Sequence, residues 1–400
     1  MKNRDLYLNK LIAFKDITLI KVITGMRRCG KSTLLELFNR YLLKSNVSPN
    51  NIIRMNFESL EFDYIKSYKD LYLYVKERVI KSEKTYILLD EIQQVEYWEK
   101  AVNSFLVDFD VDIYITGSNA YLLSSELSTL LSGRYVEIKM LPLSFKEYLD
   151  FNEYKAGEDK SEYFNSYLEF GGLPAITDIK DRPETIKPFL SGIYNTVIMK
   201  DVVQRNAVRD AALLENVMRF VASNIGSPVS TKKISDYLTS AGRKTSSDTI
   251  DNYLKMLESA FIIYKANRYD LKGKLHLKTL EKYYIVDTGI RNELLGFRNV
   301  DYGHILENVV YLELLRRGYE VYVGKVGTLE VDFVATKADK KVYYQVSATI
   351  LTEETKEREL KSLRNIQDHY EKVVLTMDKT FIKDYDGIKN INIIEFLLEE

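Results

Sequence analysis

The chain has 400 residues, of which 46% are hydrophobic and 29% charged, with a formal net charge of −1. That length calls for more than one domain, since single cores stop growing at roughly 250 to 300 residues. The balanced charge removes any whole-chain electrostatic case for nucleic acid, and no stretch offers the roughly 18 uninterrupted apolar residues of a membrane span. Cys29 is the only cysteine, which excludes an internal disulfide and a cysteine-based zinc cluster. His276, His304 and His369 stand at unrelated spacings, so no histidine metal site is expected. No apolar signal core follows Met1 to Asp5, and a cytoplasmic protein with no membrane contact is the expectation.

In chain order, short apolar runs at Leu19 to Thr24, Ile52 to Phe57, Tyr86 to Leu89, Val111 to Thr116 and Tyr135 to Met140 alternate with helical patterns such as Ser32 to Leu43 and Trp98 to Phe105. Continuous apolarity in strands separated by helices predicts an α/β unit with a mostly parallel sheet over residues 1–145. Pro142 breaks the pattern, and a Tyr- and Glu-rich helical lid or connector is expected over 146–211, interrupted by Gly171-Gly172-Leu173-Pro174. Residues 212–299 read as three helices and two strands, the order of a winged helix. Ser230 and either Ser246 or Ser247 serve as caps, and Ile250, Tyr253, Leu254 and Leu257 form one stripe. Residues 300–400 restart an α/β pattern of helix, three strands, helix and strand, with Gly318 stopping the first helix.

Gly25-Met26-Arg27-Arg28-Cys29-Gly30-Lys31-Ser32 fits the phosphate-loop pattern, directly after a strand and before a helix, and the site continues through Thr33. Glycines let backbone N–H groups turn around phosphate oxygens, Lys31 reaches the β- and γ-phosphates, and Ser32 ligates Mg2+. Asp90 and Glu91 close the Tyr86 to Leu89 strand. Asp90 is expected to hold magnesium through water and Glu91 to polarise the attacking water. Ser118 and Asn119, after the next strand, either sense the γ-phosphate or form a simple polar turn. Arg134 either stabilises phosphoryl-transfer charge, in its own or a neighbouring subunit, or makes a surface ion pair. Lys200, Asp201 and Arg205 form a further charged cluster; Arg27 and Arg28 read as packing or interface residues and Cys29 as a spacer.

These segments, with Leu89-Asp90-Glu91-Ile92-Gln93, Ile115-Thr116-Gly117-Ser118, Leu131-Ser132-Gly133-Arg134-Tyr135 and Leu141-Pro142-Leu143-Ser144-Phe145, resemble the AAA-superfamily ATPases of prokaryotes. More narrowly, they are similar to the archaeal and bacterial branch that carries a C-terminal domain of unknown function. Gly171 to Pro174, Lys200-Asp201-Val202 and Tyr284-Ile285-Val286-Asp287-Thr288-Gly289 resemble that branch's later landmarks. The resemblance implies an additional-strand P-loop NTPase fold, and it carries the choice of ATP over GTP.

Glu307, Glu330, Asp332 and Gln345-Val346-Ser347 resemble the PD-(D/E)XK arrangement of restriction-endonuclease-like domains, in which acids hold magnesium and a lysine activates water. Ser347 stands at the lysine position and Gln345 where a glutamate is usual, so a degenerate domain kept for binding or assembly is expected. An active centre would need Lys325 or Lys341. Arg243 and Lys244 before the recognition helix, and Arg268, Lys272, Lys274 and Lys278 on the wing, either straddle a DNA backbone or form a solvated face, and a protein partner or self-association is the alternative output.

Overall fold

The structure is a computed structural model that describes residues 2–80, 83–118, 131, 133–180, 182–273, 275–379 and 382–399. The chain divides into two compact units, Met1–Met140 with Ser259–Phe261, and Leu141–Glu258 with Ile262–Glu400.

In the first unit β1 (Ile20–Thr24), β2 (Ile52–Asn56), β3 (Thr85–Asp90), β4 (Val111–Gly117) and β5 (Tyr135–Lys139) lie within a residue or two of the expected runs. They form one sheet in the order β2-β3-β4-β1-β5, with every neighbour parallel. β4 is inserted between β1 and β3, which is the additional strand that the resemblance implied. Alternate side chains feed two cores. Ile87, Leu89, Ile113 and Ile115 pack with Leu71, Trp98 and Phe105. Tyr86, Leu88 and Tyr114 pack on the other face with Tyr7, Leu34 and Phe38. Both faces are therefore covered, which is why the central strands read as unbroken apolar runs. Edge strands β2 and β5 each keep an exposed cation, Arg54 and Lys139.

The second unit opens with helices Phe145–Phe151, Lys160–Phe170 and Pro183–Thr196, the last running into a π-helical segment Val197–Gln204. Helices Ala211–Ser223, Thr231–Ser240 and Ser247–Ser259 follow. Ser230 caps the second of these through the Lys233 N–H (3.2 Å), and Ser246, not Ser247, accepts the Thr249 N–H at 3.2 Å. Ile250, Tyr253, Leu254 and Leu257 are buried as one stripe. Strands β6 (Ile263–Asp270), β7 (Leu275–Ile285), β8 (Glu320–Val326), β9 (Leu329–Lys337), β10 (Lys340–Ser347), β11 (Glu371–Thr376), β12 (Asp384–Tyr385) and β13 (Ile388–Asn392) complete the unit.

Two expectations change here. The β6–β7 hairpin is no free wing, because Arg268–Asp270 pair in parallel with Val323–Lys325 of β8. The sheet therefore runs β12-β13-β11-β10-β9-β8-β6-β7, straight across the boundary expected between 299 and 300. Local patterning marks two strands in this stretch but only their outer ends, and strand pairing is non-local, so periodicity does not report it. β13 was missed because Asn390 occupies a buried position where alternation would place an apolar residue.

The glycine-rich turn and the Tyr284 to Gly289 segment meet in a clasp. Asp287 accepts the Gly172 N–H at 2.7 Å and caps helix Thr288–Leu295 through the Ile290 N–H at 3.2 Å. Gly171 sits at φ +83, and a Cβ there would come within 2.1 Å of the Asp287 carboxylate. Thr288 Oγ1 donates to the Tyr167 carbonyl at 3.1 Å, and Asn292 Nδ2 to those of Leu168 and Glu169.

Candidate nucleotide site

The phosphate loop turns out of β1 at Gly25, where φ is +145 and a Cβ would meet the Met140 carbonyl at 2.1 Å. Only glycine fits. Arg28 (φ +69) and Gly30 (φ +104) complete the left-handed turns, and helix Lys31–Lys44 starts directly behind them. Its N-terminal N–H groups and dipole face the loop, the arrangement that receives phosphate. Cys29 and Met26 are fully buried, so Cys29 anchors the loop in the core. Arg27 is half-buried and pairs with the exposed Glu58 at 2.8 Å. Ser32 and Thr33 lie exposed at the helix start.

Lys31 is buried and folds back on its own loop, donating to the carbonyls of Gly25 (2.9 Å) and Met26 (3.1 Å). A lysine held only by two neutral carbonyls and a carboxylate 3.9 Å away, that of Glu91, can transfer its donors to phosphate oxygens. Glu91 follows β3 at φ +54, in the left-handed region. Thr116 holds this turn: its hydroxyl accepts the Glu91 N–H at 2.9 Å and donates to Asp90 Oδ1 at 2.5 Å. One Glu91 oxygen thus faces Lys31, and the other accepts from Gln93 Nε2.

Ser118 is fully buried and its Oγ has no partner among the described residues. Buried hydroxyls in folded proteins are ordinarily paired, so this one is suited to a polar ligand at the sheet's carboxyl edge. It directly follows Gly117, the partner of Thr24 in register. The donor set therefore fits a magnesium nucleotide. Asn119 lies outside the described residues.

Arg134 is exposed and is not brought to this edge. β5 begins with Tyr135 opposite Ile20, and the Ile20 N–H donates to the Arg134 carbonyl at 2.8 Å. Because the strands are parallel, Arg134 stands at the amino end of β1, about 20 Å of strand away from Gly25. Lys200 and Arg205 are exposed and Asp201 buried, around the π-helical segment of the second unit.

A family model described as an AAA domain matches residues 18–149, and one described as a domain of unknown function matches residues 161–301. An uncharacterized protein of Haemophilus influenzae is 45% identical over 403 residues, covering 100% of this chain and 99% of that protein. The chain belongs to the AAA-type P-loop ATPase family. A second uncharacterized member, from Methanocaldococcus jannaschii, is 34% identical over 407 residues, covering 95% of this chain and 84% of its own. Among solved structures, the Walker-type ATPase of Pyrococcus abyssi aligns with a TM-score of 0.54 at 15% identity, over 74% of this chain and 96% of that one, a likeness of fold.

This ATPase family member also gathers the acids singled out in its last hundred residues, around a lysine that was not. Lys282 of β7 is 2% exposed and reaches Glu307 at 2.9 Å, Glu330 at 2.8 Å and Asp332 at 3.7 Å. Tyr284 OH adds a bond to Glu307 at 2.6 Å. Gln345 accepts the Asp332 N–H at 3.3 Å and donates to Glu359 at 2.9 Å, while the Ser347 hydroxyl donates to the Thr349 carbonyl at 2.9 Å. Burial works against the charge on Lys282, but Glu307, Asp332 and Glu330 outweigh it and hold the ammonium protonated. Burial, with Glu307 beside it, pushes Asp332 well above the usual carboxylate range. Lys341 does not enter this cluster; it lies 4.8 Å from the Tyr370 ring centroid. A lysine inside the polar-to-apolar run Glu281 to Val286 was the available signal.

Of the cationic residues expected to face DNA, Arg243 and Lys244 are exposed ahead of helix Ser247–Ser259, with Arg243 3.8 Å from Asp210. Lys272 is exposed and Arg268 half-buried in β6. Lys274 lies outside the described residues, and the Lys278 side chain is not described. No helix among the described residues is long and apolar enough to cross a membrane.

Proposed function

We propose that the chain is a magnesium-dependent ATP hydrolase whose second unit couples nucleotide state to a bound DNA or protein partner. The observation carrying this reading is the meeting of Lys31, Asp90 and Glu91 at one edge of the sheet, with Thr116 holding the two acids in place. Gly25 to Thr33 cradle the phosphates. Ser32 and Asp90 would hold magnesium, which supplies charge neutralisation at the β- and γ-phosphates. Glu91 takes a proton from the attacking water, and Ser118 and Asn119 sense the γ-phosphate. Arg134 acts across a subunit boundary. The buried thiol of Cys29 suits a reducing cytoplasm.

DNA contact would run through Arg243, Lys244, Arg268 and Lys272, with Lys274 and Lys278 beside them. The alternative is a slow nucleotide switch acting through protein contacts, which the incorporation of the hairpin into the sheet favours. An ATP-gated nuclease has the convergence of Glu307, Glu330 and Asp332 in its favour and Lys282 between them against it.

The test is ATP turnover with and without double-stranded DNA at two salt concentrations. Lys31→Ala should abolish nucleotide binding, and Glu91→Gln should retain binding while losing about 100-fold or more in turnover. DNA stimulation that salt suppresses supports the DNA-coupled form. Turnover unmoved by DNA transfers the output to a protein partner, and unimpaired binding by Lys31→Ala sinks the reading.

A further inference from the structure

We propose that Gln93 is the second water-positioning group of the hydrolytic site, an inference that rests on the reading of Glu91 above. A carboxylate only accepts hydrogen bonds, so the amide facing Glu91 must present its nitrogen, and Gln93 Nε2 donates to Glu91 Oε2. That contact fixes where the other end of the amide points. Gln93 Oε1 is shielded from solvent and has no partner among the described residues, although the side chain as a whole is only half-buried. An unpaired buried acceptor is destabilising, so it is expected where a ligand satisfies it during the working cycle.

The geometry supplies that ligand's identity. Glu91 has one oxygen toward Lys31 at 3.9 Å and the other on Gln93. When Lys31 leaves the carbonyls of Gly25 and Met26 for a phosphate, Gln93 is the contact that still holds the carboxylate. Attacking water has two hydrogens. One goes to Glu91 as the new oxygen–phosphorus bond forms and the bond from the γ-phosphorus to the bridging oxygen breaks, with ADP leaving. The other stays on the transferred oxygen and is received as a hydrogen bond by Gln93 Oε1. Two acceptors fix both the position and the rotation of the water, whereas a lone carboxylate fixes only its position. The left-handed φ of +54 at Glu91 fits this, since the turn that strains Glu91 brings a residue two places on alongside its carboxylate.

The experiment measures steady-state ATP hydrolysis by the full chain, with affinity for a non-hydrolysable ATP analogue measured separately. Gln93→Ala and the volume-conserving Gln93→Leu should each lower kcat about 10- to 100-fold, with KM and analogue affinity within about twofold of wild type. A wild-type kcat in both Gln93→Ala and Gln93→Leu overturns the proposal, as does a rise in KM at constant kcat. Wild-type protein that binds but never cleaves ATP overturns the hydrolase reading and this one together, which separates the two failures.

Discussion

Thr116 shows how much of the site rests on one hydroxyl. It accepts from the Glu91 backbone and donates to Asp90 at 2.5 Å, joining the turn to the metal-side acid. Thr116→Val keeps the shape and deletes both bonds. It should lower ATP turnover about 10- to 100-fold and weaken magnesium-dependent nucleotide binding, measured with and without the metal. A loss of stability of about 1 to 3 kcal/mol is expected alongside it, from the stranded Asp90 oxygen and Glu91 N–H. The phosphate loop and the acid pair could be read from sequence because each is a contiguous pattern whose chemistry is set by neighbours in the chain. Thr116, Gln93 and Lys282 could not, since their roles depend on partners chosen by folding. Ser118 drew attention in the sequence for being polar at a strand end, yet Thr116, facing β3 two residues earlier, is the one that holds the acids.

Within the second unit, β7 ties several elements together through buried charge. Lys282 meets acids from helix Tyr302–Arg316 and from β9. Lys282→Ala would leave those acids facing one another without a cation, at a cost of about 3 to 5 kcal/mol by chemical denaturation at neutral pH. The clasp at the end of the same strand has its own pH signature. Burial raises the Asp287 carboxyl to about 6, against the opposing pull of N–H donors from Gly172, Ile290 and Gly289. The folded form therefore holds a proton that the unfolded chain, with a carboxyl near 4, has released. Stability from this group is fully present below about pH 4 and falls by about 3 kcal/mol as pH rises through 6. Asp287→Asn should remove that slope, as read from denaturation midpoints between pH 4 and 7. Helices and strands here were legible through caps and stripes, whereas the clasp joins segments 115 positions apart and left only its glycines as a trace.

At the scale of the molecule, the parallel register sends Arg134 to the end of the first unit's sheet opposite the phosphate loop. A finger role then requires a second copy of the chain. Mixing Arg134→Ala with Lys31→Ala should restore part of the ATP turnover that neither has alone, because each would supply the other's missing half. Turnover that stays absent in the mixture, or an Arg134→Ala chain as active as wild type, removes the finger. Strand-and-helix alternation signalled the parallel sheet well, whereas its strand order came only through the family resemblance. It signalled the division of the remainder poorly. A hairpin that reads as the wing of a separate domain contributes its strands to a shared sheet, and one compact unit covers nearly all of the chain after Met140.

The central place of β4 bears on how this chain tolerates insertion and deletion. Its register against β1 and β3 sends Ile113 and Ile115 to one core and Tyr114 to the other, and the same register delivers Thr116 to Asp90 and Ser118 to the edge. A slip of one residue would reverse every side chain on the strand. The spacing from Val111 to Ser118 thus answers to packing and to chemistry at once. Length changes are tolerable in a peripheral connection, but within this strand a single added or lost residue would remove the two cores and the acid-holding hydroxyl together.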